Sequence, residues 1–239
     1  TSVEGCTYHG TLDANASTDS NGGIVGFANA NCSGNITNCF FNGTVKTTGS
    51  NPQMGGILGY MNDTNNNFGG LKYCYSCGTL KYNGKDTYAN AIIGRIRAHS
   101  RTIVNNYFLS GTANRACNTD CDEKVDFSKN IAISISVTAQ NGGKVTQNYI
   151  NPTSTTVTKL QVVAVPNNGY HYDNWNDGGA KTHSVELLDN ITLTASFGTF
   201  SEEASWTWDK DCKRATCTRT CTNDPNHKSE RTVKINEGI

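Results

Sequence analysis

The sequence has no net charge and no long hydrophobic run, and each absence disfavours a class of function. Its 20 basic side chains balance its 20 acidic ones, so no overall field attracts the chain to nucleic acid or to an anionic membrane. No apolar run approaches the roughly 20 residues that cross a bilayer, and residues 1–6 lack the segments of a signal peptide. We therefore expect no nucleic-acid partner, no membrane contact within this chain, and any export signal or anchor to lie outside it.

Recognisable catalytic signatures are also absent. The sequence contains no GxSxG, HExxH or P-loop pattern, and its five histidines do not lie beside an obvious nucleophile or carboxylate pair. Cys212, Cys217, Cys221 and His227 are side chains that zinc accepts, but their spacing includes no CxxC and no HxxxH. We expect no enzyme activity, no cofactor and no metal site, with structural or disulfide cysteines favoured near the C-terminus and zinc as the open alternative.

The sequence does contain an internal repeat. Three glycine-rich segments are GGIVG (22–26), GGILG (55–59) and the looser NAIIG (90–94), and their last glycines are 33 and 35 residues apart. Self-similarity at this period predicts an architecture of stacked repeats, which chiefly presents surfaces.

Each repeat has a second half with its own pattern. The copies are ITNCFFNGTV (36–45), LKYCYSCGTL (71–80), a degenerate VNNYFLSGTA (104–113) and VEGCTYHGTL (3–12). Because the last of these lacks a glycine-rich first half, we expect the chain to begin inside a repeat and to be a fragment of a longer protein. The third repeat has Tyr107 where cysteine is expected, which predicts a terminal, capping repeat.

Composition and pattern together predict an all-β chain. Glycine, asparagine and threonine are abundant and only 17% of residues are charged, as short strands joined by tight turns require. We predict a β-solenoid over residues 1–113, a polar connector over 114–130, a small, compact β domain over 131–198, and a short cysteine-containing β module over 201–239.

Three cysteines occupy the same place in successive repeats. Cys6, Cys39 and Cys74 each precede a glycine by four residues, and equivalent positions of stacked strands lie about 4.8 Å apart. We expect an inward structural ladder of small apolar side chains. A disulfide between stacked neighbours stays open, since their Cα separation permits one.

The polar connector contains two further cysteines. Cys117 and Cys121 suit a small-loop disulfide, which we expect. The alternative is a metal site with Asp120, Asp122 and Glu123, although the loop lacks a calcium-loop signature.

Two resemblances to known families follow from these patterns. The segments GGIVG with NCFFNGTV and GGILG with YCYSCGTL resemble the GLUG motif of bacterial surface adhesins, over residues 1–113. The stretch from VTAQNGGKV through VAVPNNGYHYDNWNDGG to ITLTASF resembles the divergent B-repeat of internalin-type bacterial surface proteins. The resemblances imply secreted, adhesive or spacer modules without catalytic residues, and the second implies a β-grasp-like fold for the divergent B-repeat-like domain over residues 131–198.

Aromatic side chains of the second module have two interpretations. Trp175, Tyr170 and Tyr172 could stack on sugars, but we favour a core role for Trp175 and at least one of the tyrosines, because a small domain needs large buried side chains. His171 and His183 lack the spacing of a metal pair with an obvious third ligand.

The tail alternates again and resembles a WTW-containing β module of large surface proteins. In an extended strand Cys217 and Cys221 lie about 13 Å apart and cannot bridge each other. Their partners must come from another strand or from a metal.

The leading hypothesis is an adhesin-like fragment, secreted or on the surface of a Gram-positive bacterium, that binds host glycans or glycoproteins. The alternatives are a non-catalytic accessory region of a large extracellular enzyme, such as an IgA-type protease or glycosidase, and a pure stalk.

Overall fold

The chain is all-β over the residues that the structure describes. This structure is a computed structural model. The described residues are 1–14, 20–49, 52–63, 67–83, 89–98, 103–113, 116–117, 129–200, 204–221, 226 and 228–234. Within these ranges there is no helix, and thus none that is long and apolar enough to cross a membrane. The prediction of an all-β chain is confirmed.

The chain divides into two compact units. The first comprises residues 1–135, 149–160 and 184–191, and the second comprises residues 136–148, 161–183 and 192–239. The four domain boundaries derived from the sequence stay a prediction.

We call residues 3–133 the repeat region, and its described residues form eighteen short strands. They are β1 (Val3–Glu4), β2 (Thr7–Tyr8), β3 (Thr11–Ala14), β4 (Ser20–Gly22), β5 (Val25–Asn29), β6 (Asn35–Thr37), β7 (Phe40–Phe41), β8 (Thr44–Thr47), β9 (Gln53–Gly55), β10 (Leu58–Asp63), β11 (Gly70–Lys72), β12 (Tyr75–Ser76), β13 (Thr79–Tyr82), β14 (Ala89–Asn90), β15 (Ile93–Ala98), β16 (Ile103–Val104), β17 (Asn106–Leu109) and β18 (Asn130–Ile133).

These strands form five parallel sheets in which successive repeats pair strand for strand. The orders are β1-β6-β11-β16, β18-β17-β12-β7-β2, β13-β8-β3, β14-β9-β4 and β15-β10-β5. Leu58 pairs with Val25, 33 positions earlier, and with Ile93, 35 positions later. The spacing read from the sequence is therefore the spacing of the hydrogen-bonded register.

Side chains that alternate inward along these strands build the core of the repeat region. On the β5, β10 and β15 sheet, Ala28, Met61 and Ile96 are paired in register and each is at most 4% exposed. Burial of such a side chain contributes about 1.5 to 3 kcal/mol, but only when a neighbouring repeat covers it. One repeat alone has no such cover.

The repeated glycines are required by close approach of neighbouring repeats. A Cβ on Gly59 would lie 2.5 Å from the amide nitrogen of Asn21 and 2.6 Å from the carbonyl oxygen of Gly26. Both contacts are with backbone atoms, which cannot move aside without breaking the sheet. Gly59 does not have a positive φ, so crowding is the reason for glycine here.

A left-handed residue marks the same corner of each repeat. Gly5, Asn38, Tyr73 and Asn105 have φ of 62°, 50°, 57° and 56°. Glycine and asparagine adopt this region readily, whereas tyrosine with its Cβ does so at a cost. The corner turns the chain just before the residue that begins the next sheet.

The register corrects the prediction for Tyr107. Tyr107 pairs with Tyr75, so the residue equivalent to Cys74 is Asn106. In the third repeat this position precedes the next glycine by five residues, where the other repeats have four. An alignment of the repeats on their glycines therefore placed Tyr107, and not Asn106, opposite Cys74. Asn106 accepts a hydrogen bond from the amide of Cys74 and donates to the carbonyl of Leu71, both at 3.0 Å.

The stacking continues beyond residue 113. The amide of Ile92 donates to the carbonyl of Ala116 at 2.9 Å, and β18 pairs in parallel with β17 from Asn130 to Ile133. Asn106 donates to the side-chain oxygen of Asn130 at 2.8 Å. Parts of the predicted connector and the first residues of the predicted second module therefore add to the repeat sheets.

Nine further strands follow the repeat region. They are β19 (Ile135–Ala139), β20 (Gly143–Ile150), β21 (Lys159–Pro166), β22 (Tyr170–Trp175), β23 (Thr182–Glu186), β24 (Ile191–Thr199), β25 (Ser205–Trp208), β26 (Arg214–Thr220) and β27 (Lys228–Lys234). They form three sheets, in the orders β19-β24-β22, β20-β21-β23 and β25-β26-β27. In the second unit, Trp175 is 1% exposed and lies in the core, as the sequence-based interpretation of this residue favours.

An aromatic cluster lies over the outer face of β7 and β12 in the first unit. The ring of Tyr149 lies 5.3 Å from Phe40 and 6.2 Å from Tyr75, centre to centre. The Cys77 thiol donates to the side-chain oxygen of Asn42 at 3.1 Å. Burial raises the pKa of Cys77 to about 12, although a hydrogen bond with Tyr149 opposes part of this effect.

We expect Tyr73→Asn to raise the free energy of unfolding by about 0.5 to 1 kcal/mol, because asparagine tolerates the left-handed conformation. Urea unfolding measures this as a higher midpoint with an unchanged slope. Tyr73→Ala is the matched control, since it removes the ring but keeps a Cβ that disfavours this φ. An equal gain in both variants would show that the ring, and not the backbone angle, costs stability.

We expect the stability of the repeat region to fall as pH rises from about 9 towards 12. The fold favours the protonated Cys77 thiol, so its contribution is complete below the unfolded pKa and is lost as pH approaches the folded one. At pH 10 the loss from Cys77 is about 1 kcal/mol. Unfolding measured against pH checks this: Cys77→Ser flattens the decline, while Cys32→Ser, at an exposed position, leaves it unchanged. An unaltered decline in Cys77→Ser contradicts the assignment.

Candidate functional site

The strongest candidate for a binding face lies on the outer surface of β5, β10 and β15. Phe27, Tyr60 and Arg95 occupy one register position in three successive repeats. The rings of Phe27 and Tyr60 lie 5.4 Å apart, and the Arg95 guanidinium carbon lies 5.3 Å from the centre of the Tyr60 ring. We call these three side chains the aromatic row.

A second, polar row runs beside the aromatic row. Asn29, Asn62 and Arg97 are paired in the same register, two positions further along each strand. Asn29 and Arg97 are exposed, and Phe27 is 47% exposed. The inward residues between the two rows are core side chains, so strand alternation fixes both rows on the outer surface. Together they present aromatic rings, two guanidinium groups and side-chain amides.

The chemistry of this surface suits a polar ligand with apolar faces. An aromatic ring offers a flat apolar surface, and a guanidinium group donates paired hydrogen bonds to carboxylates. Over three strands the aromatic row extends about 10 Å. The sequence places an aromatic residue after GGIVG and after GGILG, which is a detectable signal, but the strand parity that exposes both rings is a property of the fold.

The predicted cysteine ladder occupies one register position in the structure. The carbonyl oxygens of Cys6, Cys39 and Cys74 accept hydrogen bonds from Phe40, Tyr75 and Tyr107, each at 2.8 Å. Cys39 and Cys74 are fully buried free thiols, and burial raises the pKa of Cys74. Cys6 is exposed, and its thiol interacts with that of Cys39 in the next repeat.

The predicted pair Cys117 and Cys121 is only partly described. Cys117 is 3% exposed, and its backbone forms an isolated parallel β-bridge with that of Ile93. Cys121 lies outside the described residues, as do Asp120, Asp122 and Glu123 of the alternative metal site. The disulfide stays a prediction.

A second exposed aromatic surface lies on β25, β26 and β27. Trp206 and Trp208 are 54% and 59% exposed, and Trp206 pairs with Cys217. Trp206, Cys217, Arg219 and Arg231 help to line a shallow groove of about 490 Å³. We call this surface the tryptophan face.

Sequence reasoning missed one cluster of metal-ligand side chains in the second unit. His171, Asp173 and Cys221 have ligand atoms that all lie within 4.8 Å of one another. The Nε2 atom of His171 lies 2.7 Å from the Cys221 sulfur and 2.8 Å from a carboxylate oxygen of Asp173. His171 and Cys221 are 7% and 4% exposed. Fifty residues separate His171 from Cys221, so no local spacing rule detects this cluster.

Comparison with known families matches one part of the chain. Residues 133–210 match the sequence model of the divergent InlB B-repeat domain, which confirms the predicted resemblance of the second module to internalin-type B-repeats. The comparison gave no evidence for a GLUG motif in the repeats. No curated protein and no solved structure matched the chain. The family match points to a bacterial, surface-associated repeat protein.

Proposed function

We propose that this chain is a non-catalytic, adhesin-like part of a secreted or cell-surface bacterial protein, and that its repeat region binds host glycans or glycoproteins. The aromatic row carries the proposal. Phe27 is 47% exposed and Tyr60 is half-buried at the equivalent position of the next repeat, where a purely structural repeat needs no outward aromatic side chain.

Two further arguments support a surface role. Parallel, in-register repeats with a buried interior fit a β-solenoid of the GLUG type, which the repeat sequences resemble, and solenoids present extended binding surfaces. The match to the B-repeat domain supports a bacterial surface location, and we extend this to a Gram-positive organism.

The composition of the surface favours acidic glycans within this class. A sugar ring stacks its apolar face on Phe27 or Tyr60, while Arg95 and Arg97 provide donors for a carboxylate such as that of a sialic acid. Asn29 and Asn62 add amide groups beside them. Neutral glycans gain the stacking contribution alone and bind more weakly.

The tryptophan face supports a second candidate function. Two exposed tryptophans beside two arginines also suit glycan binding, and a carbohydrate-binding tail is typical of an accessory region of an extracellular glycosidase. A pure stalk requires neither surface.

We expect the purified chain to bind sialylated mucin glycans on an array, and a Phe27→Ala/Tyr60→Ala double variant to bind about 5- to 150-fold more weakly. Each stacked ring contributes about 0.5 to 1.5 kcal/mol, which accounts for this loss. Arg97→Gln should reduce binding to sialylated glycans more than to the same glycans after sialidase treatment.

Two matched variants separate the hypotheses. Trp206→Ala/Trp208→Ala removes two exposed aromatics from the other surface and should leave array binding unchanged. Gly59→Ala disrupts the repeats, because its Cβ meets the backbone of residues 20–26 in the preceding repeat, and should abolish binding together with the fold. Loss only in the tryptophan variant would favour the accessory-region function, and an array without any specific signal would favour a stalk.

A further inference from the structure

Two side chains of β22, His171 and Asp173, and the distant Cys221 converge on a single point of the second unit. The Nε2 atom of His171 contacts both the Cys221 sulfur, at 2.7 Å, and the Asp173 carboxylate, at 2.8 Å. An imidazole nitrogen carries at most one proton, so it can give one good hydrogen bond and not two. A thiol and a carboxylate that both lie against the same nitrogen are instead the arrangement expected when all three side chains share a cation.

We propose that His171, Asp173 and Cys221 bind a divalent transition metal of the zinc type. The donor set of imidazole nitrogen, thiolate sulfur and carboxylate oxygen is one that zinc accepts, whereas calcium and magnesium require oxygen ligands. With usual zinc bond lengths, tetrahedral neighbours lie about 3.4 to 3.6 Å apart. The two contacts of His171 therefore need to lengthen by less than about 1 Å.

A nucleophilic triad is the competing explanation, and the geometry disfavours it. In a cysteine–histidine–aspartate triad the thiol faces one ring nitrogen and the carboxylate faces the other, so that the carboxylate orients the ring. Here both groups face Nε2. The arrangement converges on a point between the three side chains and provides no relay across the ring.

Two local features of the fold produce this convergence. The register between β22 and β24 shifts between Tyr172 and Asn174, which makes Asp173 the extra residue of a β-bulge. A bulge re-aims the side chain that it carries. Cys221 enters the site because it pairs with Phe200, just after β24, and the Phe200 ring lies 4.8 Å from that of His171.

The site explains how the C-terminal strands are held. Among the described residues from 204 to 234, only Ala215 and Cys221 are buried. So little apolar burial gives weak support, and small domains with small cores commonly depend on a metal or a disulfide. A metal on Cys221 fastens β25, β26 and β27 to the strand that carries His171. Cys221 lies outside the residues that match the B-repeat family, so this site combines the matched domain with the tail.

The test measures metal binding by the full chain, purified under reducing conditions. We expect one tightly bound Zn²⁺ per chain, and Co²⁺ in its place should give thiolate-to-cobalt charge-transfer absorption. His171→Gln, Asp173→Asn and Cys221→Ser should each weaken Zn²⁺ binding by more than about 100-fold in chelator competition, because each removes a ligand and not only an outer partner. Chelation should also increase amide hydrogen exchange in β26 and β27.

Matched controls exclude general effects of substitution. His183→Gln is the control for His171, because His183 also contacts an aspartate, Asp177, at 3.0 Å. Cys217→Ser is the control for Cys221, because it changes another cysteine of the C-terminal strands. Both variants should retain metal binding. Asp173→Asn, at a partly exposed position, tests the site even if Cys221→Ser fails to fold. Absence of the cobalt band, its persistence in Asp173→Asn, or a disulfide at Cys221 in unreduced protein overturns the proposal.

Discussion

Parallel hydrogen bonding between equivalent strands of successive repeats is the constraint on which the repeat region depends. Each strand is only two to six residues long and is stable only because another copy pairs with it on at least one side. This pairing also determines which residues the repeats can carry at two positions. It requires glycine at Gly59, where two backbones approach, and it places a left-handed residue at one equivalent corner of each repeat.

The same pairing joins the buried interior and the exposed surface. When two repeats are in register, a column of inward side chains such as Ala28, Met61 and Ile96 implies a column of outward ones beside it. The aromatic row is therefore positioned by the core, and its ring spacing follows from the strand separation. A change of register would move every outward residue along with the core.

Much of the repeat region can be predicted from the sequence, since the period of 33 and 35 residues is the register of the sheets. The prediction that Tyr107 is equivalent to Cys74 was wrong, because the third repeat has one more residue between its corner and the following glycine. The sequence does not show where this extra residue lies; the hydrogen-bonded register does. Exposure of Phe27 and Tyr60 could not be predicted, because the run GGIVGFA is too apolar to reveal strand parity. The His171 cluster could not be predicted either, since its members meet only through a bulge and a tertiary bridge.

At the position of Phe27, the three repeats carry phenylalanine, tyrosine and arginine, while the neighbouring inward position carries only apolar side chains. Selection for packing acts on the inward column alone, so the outward column is free to differ from copy to copy. Duplication of one repeat lengthens the outward column by one strand spacing without altering the fold. The ligand preference proposed for this surface can therefore change through single substitutions, along a row whose length is set by the number of repeats.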